Sequence, residues 1–313
     1  MLLGTWNLEN LYRPGGPFGP KDEAAYDAKL AALAETITAL APDLLGVQEV
    51  GDPDALADLL DVVGGAWHTA LSEHPDGRGI RVGVLSRTPL EVVADVEAFP
   101  HKLRPVQSDD SGLTVSATGR GLLAVRAGSV HLAVAHLKSK LLTYPGNRFF
   151  PHDEGERARY GAYALYRRAA EAVTLRALAD DLLAGDGRAR DVVVLGDLND
   201  EVQAATTQIL LGPPGSEIGT SGYQLADKGD KARLWDIAPL IPADRRYSRV
   251  NSGRRELIDH VLLSHRLVHR ATGAGTGIGS PDEILRLPSV GEDPKDRRNA
   301  AGSDHAPVWV RVG

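Results

Sequence analysis

The chain has no cysteine among its 313 residues, which excludes disulfides, thiolate metal sites and a cysteine nucleophile together. Any metal must sit on oxygen and nitrogen ligands. No apolar run approaches the roughly 20 residues of a membrane span. The opening "MLLGTWNLEN" has neither a basic start nor a long apolar stretch of the signal-peptide kind. These absences predict a cytoplasmic chain with no membrane partner. Excess positive charge is missing as well: the formal net charge is −7, so a polyanionic substrate needs a local basic patch. With 42% hydrophobic and 25% charged residues, the composition points to an ordinary globular core, and the length allows one domain or two.

Short Val- and Leu-rich runs at 1–8, 43–50, 80–86, 90–98, 121–127, 130–138, 191–197, 257–263 and 306–312 read as strands. Helices are predicted between them. Residues 22–40 carry Tyr26, Leu30, Leu33, Ile37 and Leu40 as one apolar stripe that Pro42 ends. Further helices are expected at 53–63, at 202–211 and at 154–184, the last with Ala158, Ala162, Leu165, Ala169, Ala172 and Leu182 near one face. The links "TP" between 80–86 and 90–98 and "GS" between 121–127 and 130–138 look like hairpins. Gly-, Pro- and Ser-rich loops are expected at 100–119, 141–153, 212–232 and 272–303.

Side chains alternate along a strand, so residues two apart share a face. On that basis Leu3, Thr5, Asn7 and Glu9 share a side; so do Leu45, Val47 and Glu49; so do Leu132, Val134, His136, Lys138 and Lys140. Val193, Leu195 and Asp197 form another row, with Asn199 in the turn beyond. Each row is apolar first and polar at its C-terminal end. In "ELIDHVLLS", Asp259 lies in the row of Leu257, Val261 and Leu263, and a buried carboxylate needs a partner. Asp304 and His305 join the same rim if the last strand runs antiparallel.

Taken singly, each residue has an ordinary explanation. Asn7 suits a turn, Glu49 a solvated strand end, "GDLND" a helix cap, and His136 a hydrogen-bonded core imidazole. The basic residues of 154–184 alternate with acids as on a solvated face. What those explanations leave out is the coincidence of all of them at matching strand ends. Carboxylates and amides suit Mg²⁺ or Mn²⁺, while paired imidazoles and lysines suit proton transfer and anion binding. That combination fits phosphoester hydrolysis.

The segments "TWNLEN", "GVQEV", "HLKSK", "GDLND", "ELIDHVLLS" and "GSDHAP", in that order, resemble the motif set of the endonuclease/exonuclease/phosphatase superfamily. The resemblance spans residues 5 to 307. It implies a single α/β domain over residues 1–313, a four-layered sandwich of two mixed sheets face to face with helices outside. It implies an Mg²⁺- or Mn²⁺-dependent enzyme with Glu49 as principal metal ligand, Asn7 and Asp304 beside it and Glu9 as an outer contributor. By the same resemblance Asp197 and Asn199 position the water and the scissile phosphate. His305 is then the general acid/base, oriented by Asp259, and His136 a donor to the phosphate. His136 is more similar to the deoxyribonuclease, sphingomyelinase and phosphatase branches than to the abasic-site branch.

Lys138, Lys140, Arg148, Arg157 and Arg159 follow His136, while Arg245, Arg246, Arg249, Arg254 and Arg255 precede Asp259. Lys138, Lys140, Arg148 and Arg157 are the candidate substrate contacts. These clusters predict a monomeric nuclease acting on DNA or RNA, with no protein partner. The acidic total charge favours a small or lipid phosphoester instead, and a silent binding protein on the same scaffold is the remaining reading.

Overall fold

The computed structural model describes residues 1–146, 148–215, 217–278, 287–291 and 293–313. The chain runs β1 (Leu2–Leu11), α1 (Glu23–Leu40), β2 (Leu44–Val50), α2 (Pro53–Val63), β3 (His68–Leu71), β4 (Arg81–Ser86) and β5 (Glu91–Ala98). Next come β6 (Val106–Gln107), β7 (Thr114–Val115), β8 (Ala117–Ala127), β9 (Val130–His136), α3 (Glu154–Leu183), β10 (Asp191–Asp197) and α4 (Ala205–Leu211). The last third holds β11 (Trp235–Asp236), β12 (Arg249–Asn251), β13 (Arg254–Glu256), β14 (Asp259–Leu263), α5 (His265–Val268), β15 (Ala271–Thr276), β16 (Ser289–Val290) and β17 (Val308–Val312).

One six-stranded sheet has the order β15-β17-β1-β2-β4-β3 and the other β11-β14-β10-β9-β8-β5. Both are mixed, since β1–β2 and β9–β10 are parallel and the other pairs within them antiparallel. Leu3 and Val84 from the first sheet meet Val134, Leu195 and Val261 from the second in one buried core. Gly46 permits that approach, because a Cβ there would lie 2.1 Å from Leu195 Cδ1. Helices α1 and α2 cover the outer face of the first sheet, and α3 covers that of the second. The expected four-layered α/β sandwich is the observed fold.

Helices α1 and α3 start where aspartates cap them: Asp22 accepts from Ala25 N, and Asp153 from Glu156 N. Helix α1 buries the predicted stripe. Helix α3 buries its predicted stripe only in part: Ala172 and Leu182 are buried, but Ala158 and Leu165 are exposed, and Tyr160, Ala164, Arg168 and Leu175 take up the buried face. Alanine on several faces leaves the period ambiguous, and the buried face is fixed by the sheet beneath. Helix α4 begins at Ala205 rather than 202.

The "GS" link is a hairpin, with Ala127 opposite Val130. The "TP" link is not: β4 pairs on both sides, with β2 and β3, so the chain leaves for the second sheet, where β5 pairs with β8. The region predicted as loop over 272–303 contains most of β15, whose sequence "ATGAGT" lacks apolar alternation yet pairs with β17. Residues 279–286 and 292 of that loop lie outside the described residues.

Candidate active site

The polar strand ends converge. His136, Asp197 and Asp259 lie side by side across β9, β10 and β14, with Asp197 opposite both others in register. Asn7, at the inner face of β1, donates its Nδ2 to Asp197 Oδ2 at 3.0 Å and to Glu49 Oε1 at 3.3 Å. β17 runs antiparallel to β1, which brings the preceding Asp304 and His305 to the same rim. His305 Nδ1 lies 2.6 Å from Asp259 Oδ2, supplying the partner the buried carboxylate requires. His305 Nε2 lies 4.0 Å from Asp197 Oδ2 and 3.9 Å from Asp304 Oδ1, beyond hydrogen-bonding distance of either.

Glu49 reaches the site by a different route from the one alternation suggests. Leu45 and Val47 face the helix layer, so regular alternation would send Glu49 there too. Instead Glu49 takes a left-handed φ of 61° at a break in register, and its carboxylate turns to Asn7 and to the Asn10 amide at 2.9 Å. Glu9, also left-handed at φ 50°, departs from the row of Leu3, Thr5 and Asn7. Its oxygens accept from Arg297 and, at 2.8 Å, from the Asp304 amide, one step outside the Asn7–Asp197 contact.

The electrostatics divide the site. Burial and the neighbouring Asp259 charge raise Asp197 to about 6. Burial opposes the charge on His305, but Asp259 and Asp304 outweigh it and raise the imidazole to about 10. His136 is held well below the ordinary histidine range by burial, Arg120 and His305, so it is neutral. Burial opposes ionisation of Glu49, while Arg78 and then Arg120 draw its pKa down. Burial and Asp304 push Glu9 up.

A hard divalent cation fits this donor set, which offers carboxylates, an amide and imidazoles without sulfur. Among the described residues, Asp197, Asp259 and His305 bring ligand atoms within 4.8 Å of one another, a buried group that can hold a metal ion. Asp259 Oδ1 and His136 Nδ1 are buried there without a hydrogen-bond partner. The second oxygen of Asp259 is already taken by Ser248 Oγ and His305, both at 2.6 Å.

The predicted cations are placed less uniformly. Lys138 turns its ammonium to the carbonyls of Ser139 and Leu141 at 3.0 and 2.9 Å, and burial lowers its pKa to about 8. Lys140 pairs with Asp200 at 3.1 Å, Arg148 with Glu156 at 2.7 Å, and Arg157 with Glu154. Asn199, left-handed at φ 52°, donates its side-chain amide to the Leu137 carbonyl at 2.9 Å and its backbone N–H to Asp197 Oδ1 at 2.9 Å.

Residues outside the predicted site set complete the rim. Ser248 fixes Asp259, Arg249 lies 3.3 Å from Asp304, and Trp6 Nε1 donates to the His305 carbonyl at 2.8 Å. Asp76 accepts the Arg78 amide at 2.8 Å and the Arg120 guanidinium at 3.1 Å, so one carboxylate holds both arginines. Of these, Arg249 alone carried a signal, as one of the basic residues before Asp259.

The fold matches solved structures over their whole lengths at low identity. A truncated TDP2 of Caenorhabditis elegans is 14% identical with a TM-score of 0.55, the alignment covering 99% of this chain and 95% of that one. A 3'-5' exonuclease of Neisseria meningitidis is 16% identical at a TM-score of 0.55, covering 100% and 99%. A mannosyl-6-phosphatase of Bacteroides thetaiotaomicron is 15% identical at 0.55, again covering 100% and 99%. No curated protein matches the chain by sequence. A model of the endonuclease/exonuclease/phosphatase family matches residues 4–305, and the chain belongs to that family, whose members are phosphoester hydrolases.

Proposed function

We propose that the protein is a divalent-metal-dependent phosphodiesterase, one domain in extent, whose substrate is a nucleic acid strand. The observation carrying this reading is the His305–Asp259 pair at 2.6 Å with His305 Nε2 uncommitted toward Asp197. Enzymes of this family use divalent metals. Glu49, Asn7 and Asp304 would hold Mg²⁺ or Mn²⁺, with Glu9 supporting Asp304 from outside, and the bound ion would neutralise charge on the phosphoryl oxygens.

The chain's own groups do the rest. Asp259 fixes the tautomer and orientation of His305, which leaves Nε2 as the position for proton transfer. Asp197 and Asn199 orient the attacking water and the phosphate, and neutral His136 donates a hydrogen bond without adding charge. As substrate cations we place Arg78 and Arg120 ahead of Arg148 and Arg157, because, alongside the Arg120 pair with Asp76, both act on Glu49 and His136 whereas the latter two pair locally. That local pairing, with the net charge of −7, favours a small phosphoester as the second reading. Incubation with plasmid, RNA oligonucleotides and phosphomonoesters in Mg²⁺ or Mn²⁺ decides. Strand cleavage is expected; turnover of phosphomonoesters alone selects the second reading. No turnover of any, in wild type and His305→Ala alike, selects the silent scaffold.

A further inference from the structure

Strand β14 carries a second imidazole–carboxylate pair directly beside the first. His260 follows Asp259 and points to the opposite face of the sheet, where it is 1% exposed. Its Nδ1 lies 2.8 Å from Asp236 Oδ2 and its Nε2 2.8 Å from the Asp200 carbonyl oxygen. A carbonyl is an acceptor only, and so is a carboxylate, so both ring nitrogens must donate. His260 is therefore a buried imidazolium. Burial opposes that charge, but attraction to Asp236 outweighs it and raises the pKa.

The carbonyl it grips belongs to the turn that presents Asp197 and Asn199. That turn passes through the left-handed Asn199, a conformation asparagine adopts readily, and the Leu198 amide is tied to the Ile258 carbonyl at 2.9 Å. Asp200 supplies the other anchors: its carboxylate takes Thr206 Oγ1 at 2.7 Å, Arg168 Nε at 3.2 Å and Lys140 Nζ at 3.1 Å. Arg168 also donates to the Lys138 carbonyl at 2.9 Å, which ties the segment after His136 to the same turn.

We infer that His260 is a positioning residue: clamped to Asp236, its Nε2–H holds the Asp200 carbonyl and so fixes Asp197 and Asn199 in their working orientation. The inference rests on the function proposed above for Asp197 and Asn199. It explains a buried charge on the face away from substrate, which a hydrophobic residue would otherwise fill at lower cost.

A matched pair of variants tests it. Glutamine places its amide nitrogen where Nε2 sits, and asparagine places its own where Nδ1 sits. His260→Gln thus keeps the donor to Asp200, and His260→Asn keeps only the donor to Asp236. Both lose the charge. Turnover should fall by about 10- to 100-fold in His260→Asn with KM little changed, the size expected for loss of a group orienting site residues. His260→Gln should retain most of it. Equal losses in both, or losses that follow melting temperature, would overturn the role.

Two measurements need no activity. The wild-type His260 ring should show two slowly exchanging N–H protons by NMR, and one alone would overturn the clamp. Amide exchange at Leu198 and Asn199 should accelerate in His260→Asn and not in His260→Gln; unchanged exchange in both would overturn it too. If wild type hydrolyses no phosphoester, the proposed function fails while these two measurements still decide the clamp.

Discussion

The two faces of β14 present the same chemistry to opposite uses. On the inner face Asp259 holds His305 at 2.6 Å; on the outer face Asp236 holds His260 at 2.8 Å. All four side chains are buried and both imidazoles are pushed up in pKa. The difference lies in the second nitrogen. His260 Nε2 is spent on a carbonyl at 2.8 Å, whereas His305 Nε2 finds its nearest carboxylates at 3.9 and 4.0 Å. A buried histidine–carboxylate pair therefore marks a site only where the far nitrogen is left for something else.

The largest effect should come from removing that free nitrogen. His305→Ala should lower kcat at least about 100-fold, within the range of general acid–base catalysis, with metal affinity by calorimetry unchanged. Equal loss of metal affinity would make His305 a ligand instead. Glu49→Gln should do the converse, raising the Mg²⁺ or Mn²⁺ concentration needed for half-maximal rate, and chelation of the wild type should abolish turnover. An unchanged metal requirement would remove Glu49 from the ligand set.

Arg120→Ala should raise KM on the order of 10-fold with a smaller effect on kcat, the value of one charge-assisted hydrogen bond. A kcat loss at constant KM would place Arg120 among the groups acting only on the transition state. The inner pair also predicts a pH dependence of stability in metal-free protein. His305 is raised from 6.5 to about 10, so its charged form adds stability that is complete below about 6.5 and lost as pH rises toward 10. Urea midpoints should decline across that window, and His305→Asn should flatten the decline; equal slopes would assign it elsewhere. The smallest effect is expected at Arg157, whose partner Glu154 is one turn away on the same helix. Arg157→Ala should leave turnover and melting temperature as they are, and a raised KM would return Arg157 to the substrate contacts.

Much of the rim was legible because the apolar-to-polar change at each strand end is a local pattern. Asn7, His136 and Asp197 follow alternation directly, since Leu3, Val134 and Leu195 in their rows pack in the core between the sheets. Asp259 announced itself as a carboxylate in a core row, and His305 met it as that row required. Glu49 reaches the rim against its row, and a positive φ at a non-glycine residue leaves no compositional trace. Lys138 and Lys140 read in the sequence as positive charge beside His136; in the fold the Leu141 carbonyl and Asp200 engage them. His260 sat unnoticed beside Asp259 in the same motif.

By itself the sequence determined most of the strands and helices of the sandwich, the absence of thiolate ligands and the polar ends of particular strands. These depend on period, composition and capping, which act over a few residues. Tertiary structure decided which cation finds a local acid, which way Glu49 turns, and which imidazole keeps a nitrogen free. Those outcomes depend on how two sheets set their register across contacts as distant as Trp6 to His305, and no local pattern encodes such a distance.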